Sequence, residues 1–204
     1  MMNKKNLLKS DLESINKFII TILQSFEYAH YLHYPEHNYS YDKPKSNLIS
    51  ASGFLTFTEY AMWRILIVEI HKLVKDSKSE KFNLFLLLRK LERSGDYRSI
   101  GIEHAKVVEW KLALLNKLPS IAKVVTLRSK LYAHTDRDYK DVIKNSDLTY
   151  EEINELIIVI VKIVSEIQSI AYEKQFIYVP IHPIGELKNK LEVLVTNQRQ
   201  KSKK

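Results

Sequence analysis

The sequence predicts an all-α protein built as an antiparallel helical bundle. Three observations point there. Among 204 residues there are only four glycines and five prolines, too few for the closely spaced turns of an all-β fold. Apolar residues recur at steps of three and four over long segments, which is the spacing of one helical face. Ser/Thr-x-x-Glu sequences stand before apolar runs, the pattern in which side chain and backbone close a helix start reciprocally. At 45% hydrophobic and 27% charged, the chain has the composition to bury a core.

The elements follow in order. Ser10-Asp-Leu-Glu13 reads as a capping box that opens a first helix, running to about His33. The stretch 33–53, marked by Pro35, Pro44 and Gly53, reads as a loop. Thr56-Phe-Thr-Glu59 is a second capping box, and behind it Tyr60, Trp63, Ile67, Ile70 and Val74 share a face. Asp76–Ser79 breaks that helix. Phe82–Arg93 is a short apolar helix, with Gly95 just past its end. Ile102–Leu118 is ended by Pro119, which then starts a helix to about His134. After a polar loop, Asp136–Asp147, comes a third box, Thr149-Tyr-Glu-Glu152, whose Glu151 and Glu152 complement the helix dipole. The helix behind it sets Ile153, Leu156, Ile157, Ile160, Ile163, Val164, Ile167 and Ala171 on one stripe. Residues 177–185 are a connector, and Glu186–Asn197 is a last helix. The expected organisation is one helical domain over residues 1–180, then a short helix and a basic, frayed tail over 181–204.

The chain holds 32 Lys and Arg against 24 Asp and Glu, a net +8 that favours polyanionic partners. The excess is concentrated in two places. Gly185–Lys204 has six basic residues against two acidic ones, and reads as a solubilising tail. His104–His134 has six (Lys106, Lys111, Lys117, Lys123, Arg128 and Lys130) against Glu109 alone. Cysteine is absent, which excludes disulfides, thiolate metal sites and cysteine nucleophiles and fits a reducing cytosol. The longest unbroken apolar run, Leu156–Val161, is far short of the ~18 residues of a membrane span. Asp11 and Glu13 fall where a secretory signal would need its apolar core. The expected setting is the cytoplasm. A membrane-surface role for the basic tail lacks a lipid anchor or an apolar helix face beside it, so no membrane partner is expected. There is no Gly-rich phosphate loop and no G-x-S-x-G elbow.

One helix breaks its own pattern. In the segment 120–134, Ile121, Val124, Val125, Leu131 and Tyr132 fall on one side, and Arg128 sits near the middle of that stripe. A guanidinium keeps its charge, so burying it alone is costly. Either it pairs with an acid in the core, or this face lines a cleft that needs a fixed positive charge. His134 lies about 120° around the helix, on the side of Lys123 and Lys130. Arg128 and His134 meet if the helix ends or bends at Ala133, or if two copies of the helix face each other. An Arg with a His is a sensible minimum for cutting RNA, whose own 2′-hydroxyl can attack the neighbouring phosphorus without a metal. Histidine moves a proton near neutral pH, and arginine holds the phosphate and the charge that builds on it.

The stretch Arg128-Ser-Lys-Leu-Tyr-Ala-His134-Thr-Asp136 resembles the signature of HEPN domains, and the abortive-infection (AbiU-type) subgroup in particular. The helix TEYAMWRILIVEIHKLVKD, the segment FNLFLLLRKL and the capped helix LTYEEINELIIVIVKIV resemble that subgroup too, so the likeness covers residues 54–172. The resemblance implies a HEPN-like bundle with extra N- and C-terminal helices that dimerises and cuts RNA without a cofactor or metal. Such domains serve as toxins or phage-defence effectors, with RNA, a second copy and an antitoxin protein as the expected partners. Arg128 and His134 match the catalytic positions, and Asp136 matches an acid that follows the His in this subgroup. Ser129 stands where the family commonly has Asn, Asp or His, and is expected to support or orient. Asp136 also stands where some HEPN toxins carry a modified Tyr. Lys123 and Lys130 are expected to draw in the RNA backbone. The alternative is a non-catalytic helical dimer that holds RNA or a protein.

Other candidates have plainer readings. His30, His33 and His37 have a spacing that could clasp a metal, but Pro35 interrupts them and a surface cluster is the preferred reading. Tyr28, Tyr31, Tyr34, Tyr39 and Tyr41 could stack on bases, though packing at helix ends is preferred. His71, with Arg64, Lys72 and Lys75, is placed on a solvated face. His104 is expected in an early helical turn and His182 in a connector.

Overall fold

Helix α1 (Lys4–His33) sets Leu8, Leu12, Ile15, Ile19, Ile22 and Ala29 on one buried stripe. Steps of three and four keep these side chains on a single face. Their partner is α3 (Gly53–Val74), which buries Trp63, Leu66, Ile67, Ile70, Leu73 and Val74 in the same core. The two run antiparallel. His33 meets Glu59 at one end, and Lys72 lies over the Phe18 ring further along. Burying a Leu or Ile side chain fully is worth about 1.5–3 kcal/mol, so this seam is a main source of stability.

The computed structural model describes residues 3–33, 43–77, 80–133, 147–173, 177–179, 181 and 184–201. Among them are eight α-helices, one 3-10 turn at Arg98–Ile100 and no strand, as expected of an all-α bundle. Helix α6 (Leu118–Ala133) packs on α3 and adds Ile121, Val124 and Leu127 to the core. Helix α7 (Tyr150–Tyr172) packs against α1, α5 (His104–Leu115) and α6. It runs antiparallel to α1: the Tyr150 ring touches Phe26, and the Tyr172 hydroxyl donates to the Lys5 carbonyl at 2.8 Å. Helices α5 and α6 follow one another along α7. Trp110 Nε1 donates to Glu166 at 2.7 Å, Lys117 to Glu155 at 2.6 Å and Lys123 to Glu152 at 2.7 Å, in descending order on α7.

Helix α4 (Leu84–Leu91) packs on α5 and α3 and buries Leu84, Phe85, Leu87, Leu88 and Leu91. Lys90 and the Tyr97 hydroxyl both donate to the Asp11 carboxylate, at 2.9 and 2.6 Å. Helices α2 (Lys43–Ala51) and α8 (Gly185–Lys201) build a second, smaller core, in which Ile49 and Leu191 cover Tyr31, Leu32 and Leu55. Lys45 pairs with Glu192 across it at 2.8 Å. Among the described residues no helix is long and apolar enough to cross a membrane.

Several boundaries differ from the sequence reading. Ser10 lies inside α1, which starts at Lys4, because Leu8 is buried and extends the stripe backwards. Thr56 is also inside its helix, where its hydroxyl donates to the Ser52 carbonyl; the true cap is Ser52, which accepts from Leu55 N. The stretch read as one loop contains α2, which Ile49 anchors. Helix α4 is shorter than expected and is capped by Asn83. Gly95 is required for another reason than the one expected: a Cβ there would collide with the carbonyl oxygens of Lys90 and Arg89. Pro119 is in the first turn of α6, as its missing N–H allows. Helix α8 continues to Lys201, past the expected start of the tail.

The third capping box is present in full. Thr149 Oγ1 accepts from Glu152 N at 3.2 Å, and Glu152 Oε2 accepts from Thr149 N at 3.0 Å. Thr149→Ala removes half of it. We expect a loss of about 1 kcal/mol and a fall in Tm of about 2–4 °C, read by circular dichroism.

Candidate functional site

Arg128 lies on α6 one turn after Val124 and directly after Leu127, both buried against α3. Its neighbours draw the backbone into the seam, so the side chain is half-buried. The sequence placed this cation on an apolar stripe, and the fold keeps it at the stripe's edge.

The imidazole of His71 shares this region, which corrects the reading of His71 as part of a solvated face. It is 3% exposed and sits on α3, the helix packed against α6. Burial holds its pKa below the ordinary histidine value, and the positive charges of Arg128 and Lys75 push the same way, against Glu80. The ring is therefore neutral at pH 7. A signal was present in the sequence: His71 falls one turn after Ile67 and one residue after Ile70, within the buried spacing. The charged residues flanking it deflected the reading. Lys72 turns away to Glu69 at 2.7 Å. Asp76 accepts two hydrogen bonds from Arg89, at 2.8 and 2.9 Å, and that pairing holds its carboxyl below the usual range.

The local basic excess is largely answered by acids from other elements. Lys106 pairs with Glu109 and Glu166, Lys111 with Glu92, Lys117 with Glu155 and Lys123 with Glu152. Lys123 Nζ also donates to the Asp147 carbonyl at 2.8 Å. Lys123 thus ties α6 to the start of α7, an occupation the sequence did not reveal. Lys130 is exposed, and Ser129 is exposed with its hydroxyl donating to the Val125 carbonyl at 3.1 Å. His134 and Asp136 lie outside the described residues, as do the side chains of Leu131 and Tyr132.

The other candidates are placed as follows. His30 stacks on Phe26, and His30 and His33 both lie against the Tyr150 ring. His33 Nδ1 is 2.7 Å from Glu59 Oε1. His37, Tyr34, Tyr39, Tyr41 and His182 lie outside the described residues. Among the described residues no three metal-binding side chains form a group. Tyr31 is buried in the smaller core, consistent with packing at a helix end. His104 is the first residue of α5.

The Lys123–Glu152 pair carries a pH signature. The Lys123 hydrogen bond, helped by Thr149 N, holds the Glu152 carboxyl below its ordinary value. A depressed carboxylate adds stability above its unfolded pKa and loses it as pH falls through the folded one. Lys123→Met should flatten this part of the acid loss. The check is the urea midpoint between neutral and acidic pH, which should fall less steeply in K123M than in the parent.

No curated protein and no solved structure matches the chain. A family model does match: that of the HEPN domains described as AbiU2, over residues 8–188. The match is wider than the 54–172 likeness in the sequence: it takes in most of α1 and reaches the first turn of α8. The helical bundle, the core that runs from Leu8 to Ala171 and this match agree, and the chain belongs to the AbiU2 family of HEPN domains.

Proposed function

We propose that this chain is a metal-independent endoribonuclease, a toxin or abortive-infection effector whose site is shared between two copies. One observation carries the reading. The residue at the motif's Arg position, Arg128, is held half-buried in the α3–α6 seam of a chain that is HEPN over most of its length. The reaction needs no metal. His134 takes the proton from an RNA 2′-hydroxyl as that oxygen forms a bond to the adjacent phosphorus. The bond from phosphorus to the 5′-oxygen breaks, and the departing oxygen takes a proton from the imidazolium of the second copy. Arg128 stabilises the extra negative charge on the phosphoryl oxygens. The products are a 2′,3′-cyclic phosphate and a free 5′-hydroxyl. Ser129 and Asp136 orient the neighbouring groups, and Lys130 attracts the RNA backbone. Lys123, bound to Glu152, contributes chiefly by holding α6 in place.

The outer face of α6 suits a second copy. Ala122, Thr126 and Ser129 are exposed at helical spacing and are small enough to let another helix approach closely. Leu118 of α6 and Leu115, Leu112 and Val108 of α5 are exposed and apolar as well. Apolar side chains of this kind are costly to leave in water, which supports a contact with a second copy.

With EDTA present, the purified chain should cut RNA and leave the matched DNA strand whole. His134→Ala should lower kcat on the order of 10²- to 10⁴-fold, and Arg128→Ala on the order of 10²- to 10³-fold. Binding of RNA with no cutting by the parent chain would instead establish a non-catalytic module. Thr126→Trp should give monomers by light scattering, with the helical signal kept and cleavage lost. A parent chain that is active as a monomer would refute the shared site.

A further inference from the structure

Helices α5 and α6 carry an exposed row at the spacing of a two-stranded coiled coil. On α5 it is Ala105, Val108, Leu112 and Leu115; on α6 it is Pro119, Ala122, Thr126 and Ser129. The steps are three and four throughout, without a charged residue, over more than three heptads. The row keeps its side across the junction of the two helices. Backbone hydrogen bonds run through that junction, from Asn116 N to the Leu112 carbonyl, from Lys117 N to Leu114 and from Ile121 N to Lys117. The buried row keeps the same step, two residues on from the exposed one: Val107, Trp110 and Leu114 on α5, then Ile121 and Val124 on α6. Lys117, between them, reaches Glu155 of α7. We propose that α5 and α6 form a parallel, in-register seam with α5 and α6 of a second copy, which sets both Arg128 side chains at one end of that seam. The parallel direction rests on the reading of Arg128 as part of a site shared between two copies.

The row suits a copy of itself. Val108, Leu112 and Leu115 are 40%, 53% and 39% exposed, apolar side chains with no cover from the chain's own helices. The α6 half is small: Ala122, Thr126 and Ser129 let two helix axes approach closely. In a parallel pair large side chains meet large ones and small meet small, so the helices converge towards Ser129 and the adjoining Arg128. In an antiparallel pair Val108 would face Thr126, and the two Arg128 side chains would lie at opposite ends. Two copies each bring a net +8, so they meet at least cost along a face without charge. The flanks agree. A parallel coiled coil sets each residue of one flank against the residue five further on in the other copy. The pairs are His104 with Glu109, Lys111 with Asn116, Leu118 with Lys123 and Val125 with Lys130. None sets like charges together, and Leu118, 46% exposed, gains cover there.

The chain has no cysteine, so single introduced thiols report the pairing directly. Under mild oxidation Val108→Cys should give a reducible dimer joined through position 108 of both copies, identified by mass spectrometry of the linked peptides. Thr126→Cys should do the same through position 126. A mixture of V108C and T126C chains should give no product that joins 108 to 126. Leu112→Asp puts a charge into the seam at an exposed position, where the fold tolerates it. By light scattering its mass should be half that of the parent, with the helical circular dichroism kept. A product joining 108 to 126, an L112D chain that stays dimeric, or a parent that is monomeric would each overturn the inference. A parent that gives the 108 link and cuts no RNA would remove the ribonuclease reading alone, because cross-linking needs no catalysis.

Discussion

The packing of α3 is the constraint on which the rest of the structure depends. This helix packs against both α1 and α6, while its Leu55 joins the smaller core, so one helix fixes the position of both neighbours. The consequence for the candidate site is direct. Arg128 is not held by a loop; it is carried on a helix whose register is set by Ile121, Val124 and Leu127 against α3. A slip of one residue would rotate the guanidinium by about 100°. Close packing resists that rotation, because the buried side chains would lose their holes. The Glu152 carboxylate adds a second restraint, since it closes the start of α7 and grips Lys123 at once.

Much of the architecture was legible in the sequence because burial in a bundle leaves a periodic trace. The stripe of α7 is read correctly from Ile153 to Ala171, and so is its Thr149 cap. The errors have a common cause. A Ser/Thr-x-x-Glu pattern reports only local competence to cap. Whether a helix starts there depends on what precedes it, and Leu8 behind Ser10 and Leu55 behind Thr56 are both buried. Helix α2 escaped notice because Pro44 resembles a loop signal, although proline is well tolerated in a first turn.

The candidate site was legible in part. Arg128 stood out because a charge interrupts an apolar stripe. His71 did not, because its charged sequence neighbours point elsewhere once folded, Lys72 to Glu69 and Asp76 to Arg89. The basic segment 104–134 shows the same limit at larger scale. Its charge excess is real along the chain but not on the surface, because Glu92, Glu152, Glu155 and Glu166 arrive from other elements to neutralise it. Linear charge counts therefore overstate the electrostatic attraction this face offers to a polyanion.

The smaller core has a consequence for how the molecule is made. Translation runs from the amino end, so Tyr31, Leu32 and Leu55 leave the ribosome long before Leu191, the residue that covers them. Helices α1 and α3 can pair while the chain is still growing, but this apolar corner stays wet until α8 emerges. Until then the growing chain carries a sticky site, the kind of surface a chaperone holds.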